Sequence, residues 1–167
     1  MFSLVLGGNK SGKSAWGLEL LGKEKGQAGL VVTGRAMDME FNEQIMMHKI
    51  SRQPGLPVME TDVHLGECLR SFRAGADAVL VDSIDFWVFN VFSSADPEKH
   101  IEDFFSSLEI WQGRRLIFVS AEVGLGPVPS TPFVRGFVRL PGQVNQRLAA
   151  ECDEVSLVMA GLAVRIK

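Results

Sequence analysis

Thiols are scarce in this chain. Cys68 and Cys152 are the only two cysteines among 167 residues, and their separation fits no metal-binding spacing. That excludes a disulfide-stapled secreted scaffold and a zinc module, and leaves two buried thiols in a reducing compartment. Long apolar runs are also missing, so a membrane-spanning helix is not expected. The short apolar stretch at the N-terminus breaks directly into a Gly/Lys loop rather than a cleavage site, which argues against a secretory signal. Positive charge is in slight deficit. A net charge of −3 and a pI near 5.6 speak against nucleic acid as the main partner, and no lysine/arginine run stands out. No repeat, linker or low-complexity segment interrupts the chain. With 46% hydrophobic and 22% charged residues, it reads as one cytoplasmic globular domain spanning residues 1–167.

Glycine-rich sequence is present in one informative place. Gly7-Gly8-Asn9-Lys10-Ser11-Gly12-Lys13-Ser14 satisfies the pattern G-x-x-x-x-G-K-[ST]. An apolar run, Phe2 to Leu6, precedes it, and Ala15 to Leu21 reads as a helix. This strand–loop–helix setting is the one in which such a loop cradles phosphate. Gly7, Gly8 and Gly12 let the backbone curl so that successive N–H groups, Asn9 to Ser11 included, face one anion. The helix that follows adds its N-terminal partial positive charge. In this reading Lys13 reaches the β- and γ-phosphates of a nucleoside triphosphate, and the Ser14 hydroxyl is a Mg²⁺ ligand.

Strand-like and helix-like segments then alternate. Strands are expected at residues 29–33, 55–59, 78–82 and 116–120, and two more at 154–159 and 162–167, joined at Ala160-Gly161. Helices are expected over 38–49, 65–72, 84–92, 97–112 and 133–152, the last interrupted at Pro141-Gly142. The pattern predicts an α/β layered domain with a mainly parallel sheet and an antiparallel C-terminal edge.

Ligands of such sheets gather at the carboxyl ends of the strands. Asp82 closes the run Ala78-Val79-Leu80-Val81 and has the form of a Walker B acid that holds Mg²⁺, although Asp also caps helices at such positions. Glu60, beyond the short strand, joins it among the nucleotide-binding residues. Glu122 follows the strand at 116–120; it is either a metal or hydroxyl ligand or a solvated loop carboxylate. His48, on the helix expected at 38–49, is a partly buried histidine or a nucleophile toward phosphorus. His64 and His100 have no partner by spacing and read as isolated surface residues.

These residues resemble one family. The loop is similar to the G-G-A-R-S-G-K-S loop of the bifunctional adenosylcobinamide kinase/adenosylcobinamide-phosphate guanylyltransferases. Asp38-Met39-Glu40 with Ile45-Met46-Met47-His48-Lys49 resembles their acidic turn and R-I-x-x-H-[KR] segment. Leu80-Val81-Asp82-Ser83 with Asn90, Glu122 to Pro129, Gly142 to Ala150 and Asp153-Glu154-Val155 match further family segments in order. The resemblance spans the chain. It implies phosphorylation of the aminopropanol hydroxyl of adenosylcobinamide by ATP or GTP. Transfer of GMP from GTP through a GMP–histidine adduct at His48 then gives adenosylcobinamide-GDP in cobalamin (vitamin B12) biosynthesis. It also implies a homotrimer. Gln44, Leu56 and Val58 stand where relatives usually carry Arg, Trp and Thr, Lys10 replaces the loop arginine, and Ser83 and Asp85 replace Cys and Thr. Two narrower readings of the residues remain: a kinase with phosphotransfer only, and a phosphate-loop NTPase acting as a switch or assembly factor.

Overall fold

Apolar runs bounded by turn residues make the strands. The computed structural model describes residues 1–33, 56–72, 75–126 and 130–167. In it, β1 (Phe2–Gly7), β2 (Ala28–Val32), β3 (Val58–Glu60), β4 (Ala78–Asp82), β5 (Arg115–Ala121), β6 (Glu154–Met159) and β7 (Leu162–Arg165) form one sheet in the order β3-β2-β4-β5-β1-β6-β7. Every pairing is parallel except β6 with β7. Each of the five residues of β4 is buried, as an inner parallel strand covered on both faces requires. The β6–β7 turn uses two residues, Ala160 at φ 52° and Gly161 at φ 81°. Two positive φ angles are the signature of the tight hairpin turn whose twist matches its strands.

Five α-helices are described: α1 (Lys13–Gly22), α2 (Leu65–Phe72), α3 (Ile84–Phe92), α4 (Pro97–Glu109) and α5 (Pro132–Glu151). Strand residues alternate between two cores. Leu4, Val79, Val81, Leu116 and Phe118 face α2 to α5, and Val5, Leu30, Leu80, Ile117 and Val119 face α1. The first core is aromatic at its centre. Trp87 meets Phe104 at 4.9 Å, and Phe104 meets Phe118 edge-on at 5.8 Å. Trp87 Nε1 donates to Val63 O at 3.0 Å, so its one polar atom is paired.

Three expectations are corrected. α5 runs unbroken through Pro141. Pro141, Val144 and Leu148 are all buried, and this packing outweighs the roughly 3 kcal/mol that an interior proline costs an isolated helix. α4 ends at Glu109 rather than 112, because Gly113 folds back over the Trp111 indole before β5 begins. The short strand pairs as Val58–Glu60, its register fixed by Leu30 opposite Val58. The helix expected at 38–49 lies outside the described residues.

α1 sits close to the sheet at Gly17, where an added Cβ would lie 2.8 Å from Val119 Cγ2 and 3.0 Å from Leu80 Cδ1. Gly17→Val is therefore expected to destabilise by about 1–3 kcal/mol through overpacking. Gly142 in α5 has open space at its Cβ position, so Gly142→Ala is expected to stabilise by about 0.5–1 kcal/mol. Urea unfolding of both variants checks the pair; a Gly17→Val midpoint equal to wild type contradicts the close approach of α1.

Candidate functional site

β1 delivers Gly7 at the carboxyl edge of the sheet, level with Ala121 of β5. The loop between Gly7 and Lys13 is held at three points by backbone hydrogen bonds. Ser11 N donates to Gly8 O at 3.3 Å within the loop, Glu122 N donates to Gly7 O at 3.2 Å from the β5 side, and Gly161 N donates to Ser11 O at 2.8 Å from the hairpin turn. Gly12 stands at φ 98°, a conformation open mainly to glycine. Gly7 has no room for a side chain, because a Cβ there would lie 2.7 Å from Val158 O and against the Ser11 hydroxyl. Lys10 adopts φ 54° at the loop tip, beside the exposed Gly8 and Asn9. Trp16 N donates to Gly12 O at 3.0 Å, so the helix is formed from its first turn.

Two side chains of α1's first turn meet the end of β4. Lys13 Nζ folds back to donate to Gly8 O at 3.3 Å. Asp82 is only 8% exposed, and burial pushes its carboxyl from the ordinary 3.8 up to about 6. The Ser14 hydroxyl and the Lys13 charge pull that value down, and Asp85 pushes it further up. Asp82 Oδ2 is buried without a hydrogen-bond partner, and so is Ser11 Oγ. Both orphaned atoms lie at this strand end or in this loop. Thr33, fully buried at the end of β2, bonds the backbone just after Asp82: its N–H donates to Asp82 O at 3.1 Å, its hydroxyl accepts from Ser83 N at 3.0 Å, and that hydroxyl also donates to Ser83 O.

The end of β5 is tied from two helices. Asp85 Oδ1 in the first turn of α3 accepts from Ala121 N at 2.9 Å. Asn145 of α5 donates through Nδ2 to Ala121 O at 3.2 Å and accepts from Ser120 Oγ at 2.7 Å. Asn145 is 4% exposed, so this amide holds the strand end rather than meeting solvent. Glu122 Oε1 accepts from Gly124 N at 3.2 Å and caps the 3-10 turn Val123–Leu125.

The structure thus gathers Gly7 to Ser14, Asp82 and Glu122 at one edge, Glu122 with one oxygen engaged in its own turn. Glu60 is not gathered with them. It ends the edge strand β3, four strand steps from β1 in the sheet order, or about 19 Å at the usual spacing. His48 lies outside the described residues. Sequence reasoning missed Thr33, and it gave Asp85 and Asn145 no structural task. The latter two stood inside recognised segments, yet only the tertiary fold shows what they grip. His64 and His100 are not isolated, for their rings meet edge-on at 5.4 Å and His64 lies 3.8 Å from Glu67. Cys68 and Cys152 are free and buried, and burial pushes both thiols up, to about 11 and about 12. Among the described residues no cluster of three or more His, Cys, Asp or Glu forms a metal cage, and no helix is long and apolar enough to cross a membrane.

Solved structures share this architecture. The flagellar accessory protein FlaH of Methanocaldococcus jannaschii superposes with a TM-score of 0.60 at 16% identity, over 99% of this chain and 77% of FlaH. An ATPase of the type III secretion system of pathogenic bacteria gives a TM-score of 0.58 at 10% identity, over 98% of this chain and 57% of its own. At such identities the likeness is one of fold. Sequence relatives are nearer. The bifunctional adenosylcobalamin biosynthesis protein CobP of Pseudomonas aeruginosa is 33% identical over all of this chain and 98% of its own length. The CobU protein of the same description from Salmonella typhimurium is 34% identical over the full length of both. A sequence model of cobinamide kinase / cobinamide phosphate guanyltransferase matches residues 3–166, and the chain belongs to that family.

Proposed function

We propose that this chain phosphorylates the aminopropanol hydroxyl of adenosylcobinamide with ATP or GTP and then transfers GMP from GTP to that phosphate, releasing pyrophosphate. Full-length similarity to bifunctional relatives supports the pair of reactions. One observation carries the nucleotide site: the Gly7–Ser14 loop and the buried Asp82 carboxylate, whose Oδ2 has no partner, share an edge of the sheet.

Asp82 Oδ2 and the Ser14 hydroxyl are an oxygen pair suited to Mg²⁺, which takes one or two protein ligands together with phosphates and water. A Mg²⁺ ion held by these oxygens would supply charge neutralisation to the triphosphate. The chain's own groups do the rest. Loop N–H groups orient the triphosphate, and Lys13 exchanges Gly8 O for the β- and γ-phosphate oxygens. In phosphorylation, the corrinoid hydroxyl oxygen bonds to the γ-phosphorus as the β–γ bridge breaks, the nucleoside diphosphate leaves and the hydroxyl proton passes to solvent. In guanylyl transfer, the neutral His48 imidazole bonds to the α-phosphorus as the α–β bridge breaks, and the corrinoid phosphate then displaces the histidine. Glu60, across the sheet, is assigned to the far end of the nucleotide. A single domain over residues 1–167 carries both reactions in the cytoplasm. Self-association as a homotrimer is supported by the apolar side chains that the edge hairpin exposes, Leu162 at 72% and Ile166 at 61%.

Incubation with adenosylcobinamide, GTP and Mg²⁺ is expected to yield corrinoid phosphate and GDP-linked corrinoid by mass; GTP hydrolysis with unchanged corrinoid overturns the reading. GTP labelled at the α-phosphate is expected to leave acid-labile label on wild type and none on His48→Ala, which keeps its phosphorylation. Wild type that takes no label under turnover removes the guanylyl half. Lys13→Ala is expected to lower phosphorylation by at least about 10²-fold.

Asp82 makes a prediction about stability. Its folded-state value of about 6 exceeds the ordinary 3.8, so the folded protein holds this proton more tightly than the unfolded chain. The stability contributed by Asp82 is fully present below about pH 4 and is lost as pH rises through 6, by roughly 3 kcal/mol in all. Asp82→Asn is therefore expected to stabilise the nucleotide-free protein at pH 8 while abolishing transfer, with the gain shrinking toward pH 4.5. Urea unfolding at the two pH values measures it.

A further inference from the structure

Ala121 is the common foot of two helices. Asp85 near the start of α3 grips its N–H, and Asn145 of α5 grips its carbonyl. Its neighbour Glu122 is bonded to Gly7 of the phosphate loop. From that foot α3 advances to Phe92 and α5 extends back to Phe133, about 10 Å and 18 Å along their axes. Phe89 and Phe92 follow Asp85 by four and seven residues, so all three share one face of α3. That face meets Phe133 and Phe137 of α5 in edge-to-face contacts: Phe89–Phe137 at 5.4 Å, Phe92–Phe133 at 5.3 Å and Phe92–Phe137 at 6.0 Å.

The resulting wall is not core. Residues 132–140 of α5 contribute no buried side chain, whereas Pro141, Val144, Asn145 and Leu148 beyond them are buried. Phe89 is 48% exposed and Phe133 67%. Edge-to-face contacts pair these phenyl groups into an open aromatic surface on α3 and α5. A groove of about 370 Å³ borders it, with Phe92 and Leu140 on its floor and Arg139, Gln143, Asp96 and Glu98 as polar lining. The volume falls in the range of small-molecule sites, and the mixture of apolar wall and polar rim is their usual lining.

We propose that this aromatic face binds the corrinoid macrocycle of the acceptor substrate. The inference rests on the phosphotransferase reading given above and extends it to the second substrate. A corrinoid is a broad apolar ring fringed with carboxamides, and its reacting hydroxyl sits on a flexible arm. Phenyl rings cover the ring system, and Arg139 and Gln143 offer hydrogen-bond partners to the amides. The face starts one helical turn from Asp85, at the strand end bonded to the phosphate loop, so the arm points toward the triphosphate.

The test compares Phe89→Ala and Phe133→Ala with Ile110→Ala, an exposed apolar truncation just past the end of α4. In corrinoid phosphorylation at saturating GTP, each Phe variant is expected to raise KM for cobinamide about tenfold. Equilibrium dialysis with cobinamide alone is expected to show the same loss, while GTP affinity and the Ile110→Ala KM stay at wild-type values. Unchanged cobinamide affinity in both Phe variants overturns the inference. So does a change in subunit assembly by analytical ultracentrifugation without a change in KM, which makes the face a contact between copies of the chain. Wild type that yields no corrinoid phosphate brings down the proposed function and this inference together; active wild type with normal Phe variants brings down this inference alone.

Discussion

The backbone around Ala121 is the constraint on which the site depends. A strand that outruns a neighbour, as β5 outruns β4 by two residues, leaves N–H and C=O groups facing a crowded edge, and such groups must be paired. Here side chains pair them: Asp85 takes the N–H, Asn145 takes the carbonyl, and the next N–H, from Glu122, reaches Gly7 O. Three elements that are remote in sequence are thereby fixed to one peptide. The phosphate loop gains a wall on its β5 side, matched on the other by Gly161 N bonded to Ser11 O. The loop is braced from both sides through Gly7 O and Ser11 O, and one of its own N–H groups, that of Ser11, is turned inward to Gly8 O.

Asp82 shows the opposite economy. A buried carboxylate oxygen with no partner is costly, and the rise of its pKa to about 6 registers that cost. Lys13 and Ser14 from α1 offset it in part, and Thr33 fixes the peptide beside it without supplying the missing bond. Such a group is destabilising in the resting protein and becomes favourable when a cation arrives. Local strain of this kind concentrates where ligands bind. Asp85 adds negative charge at the same place while holding Ala121, so one residue couples the electrostatics of the pocket to the rigidity of its wall.

How much of this was legible follows from the range of each interaction. β4 and β5 were readable because four consecutive apolar residues, Ala78 to Val81 and Leu116 to Val119, bounded by polar residues suit an inner parallel strand. The loop was readable because every one of its requirements is local. α5 was misread at Pro141 because the rule that prolines break helices is local, while Val144 and Leu148 packing into the core is not. The His64–His100 contact joins residues 36 positions apart, from two helical regions that meet only in the fold. Asp85, Thr33 and Asn145 carry ordinary residue identities, and their tasks appear only when strand ends come into register. Glu60 was named among the nucleotide-binding residues, and the sheet order β3-β2-β4-β5-β1 sets it apart from the loop.

One loop serving two transfers is less demanding than it first sounds. In the kinase step negative charge grows on the oxygen that joins the β- and γ-phosphates, and the leaving group is a nucleoside diphosphate. In the guanylyl step it grows on the oxygen that joins the α- and β-phosphates, and the leaving group is pyrophosphate. The β-phosphate belongs to both leaving groups. In the proposed site, a cradle of N–H groups and Lys13 centred on that phosphate would stabilise either departure. What must change between the steps is the nucleophile and the end of the triphosphate it approaches. The fold has room for that division, since the loop is anchored at Gly7, Ser11 and Gly12, while the aromatic face of α3 and α5 opens from the β5 side. The acceptor can then stay on that face through both reactions, presenting first a hydroxyl and afterwards the phosphate it has gained.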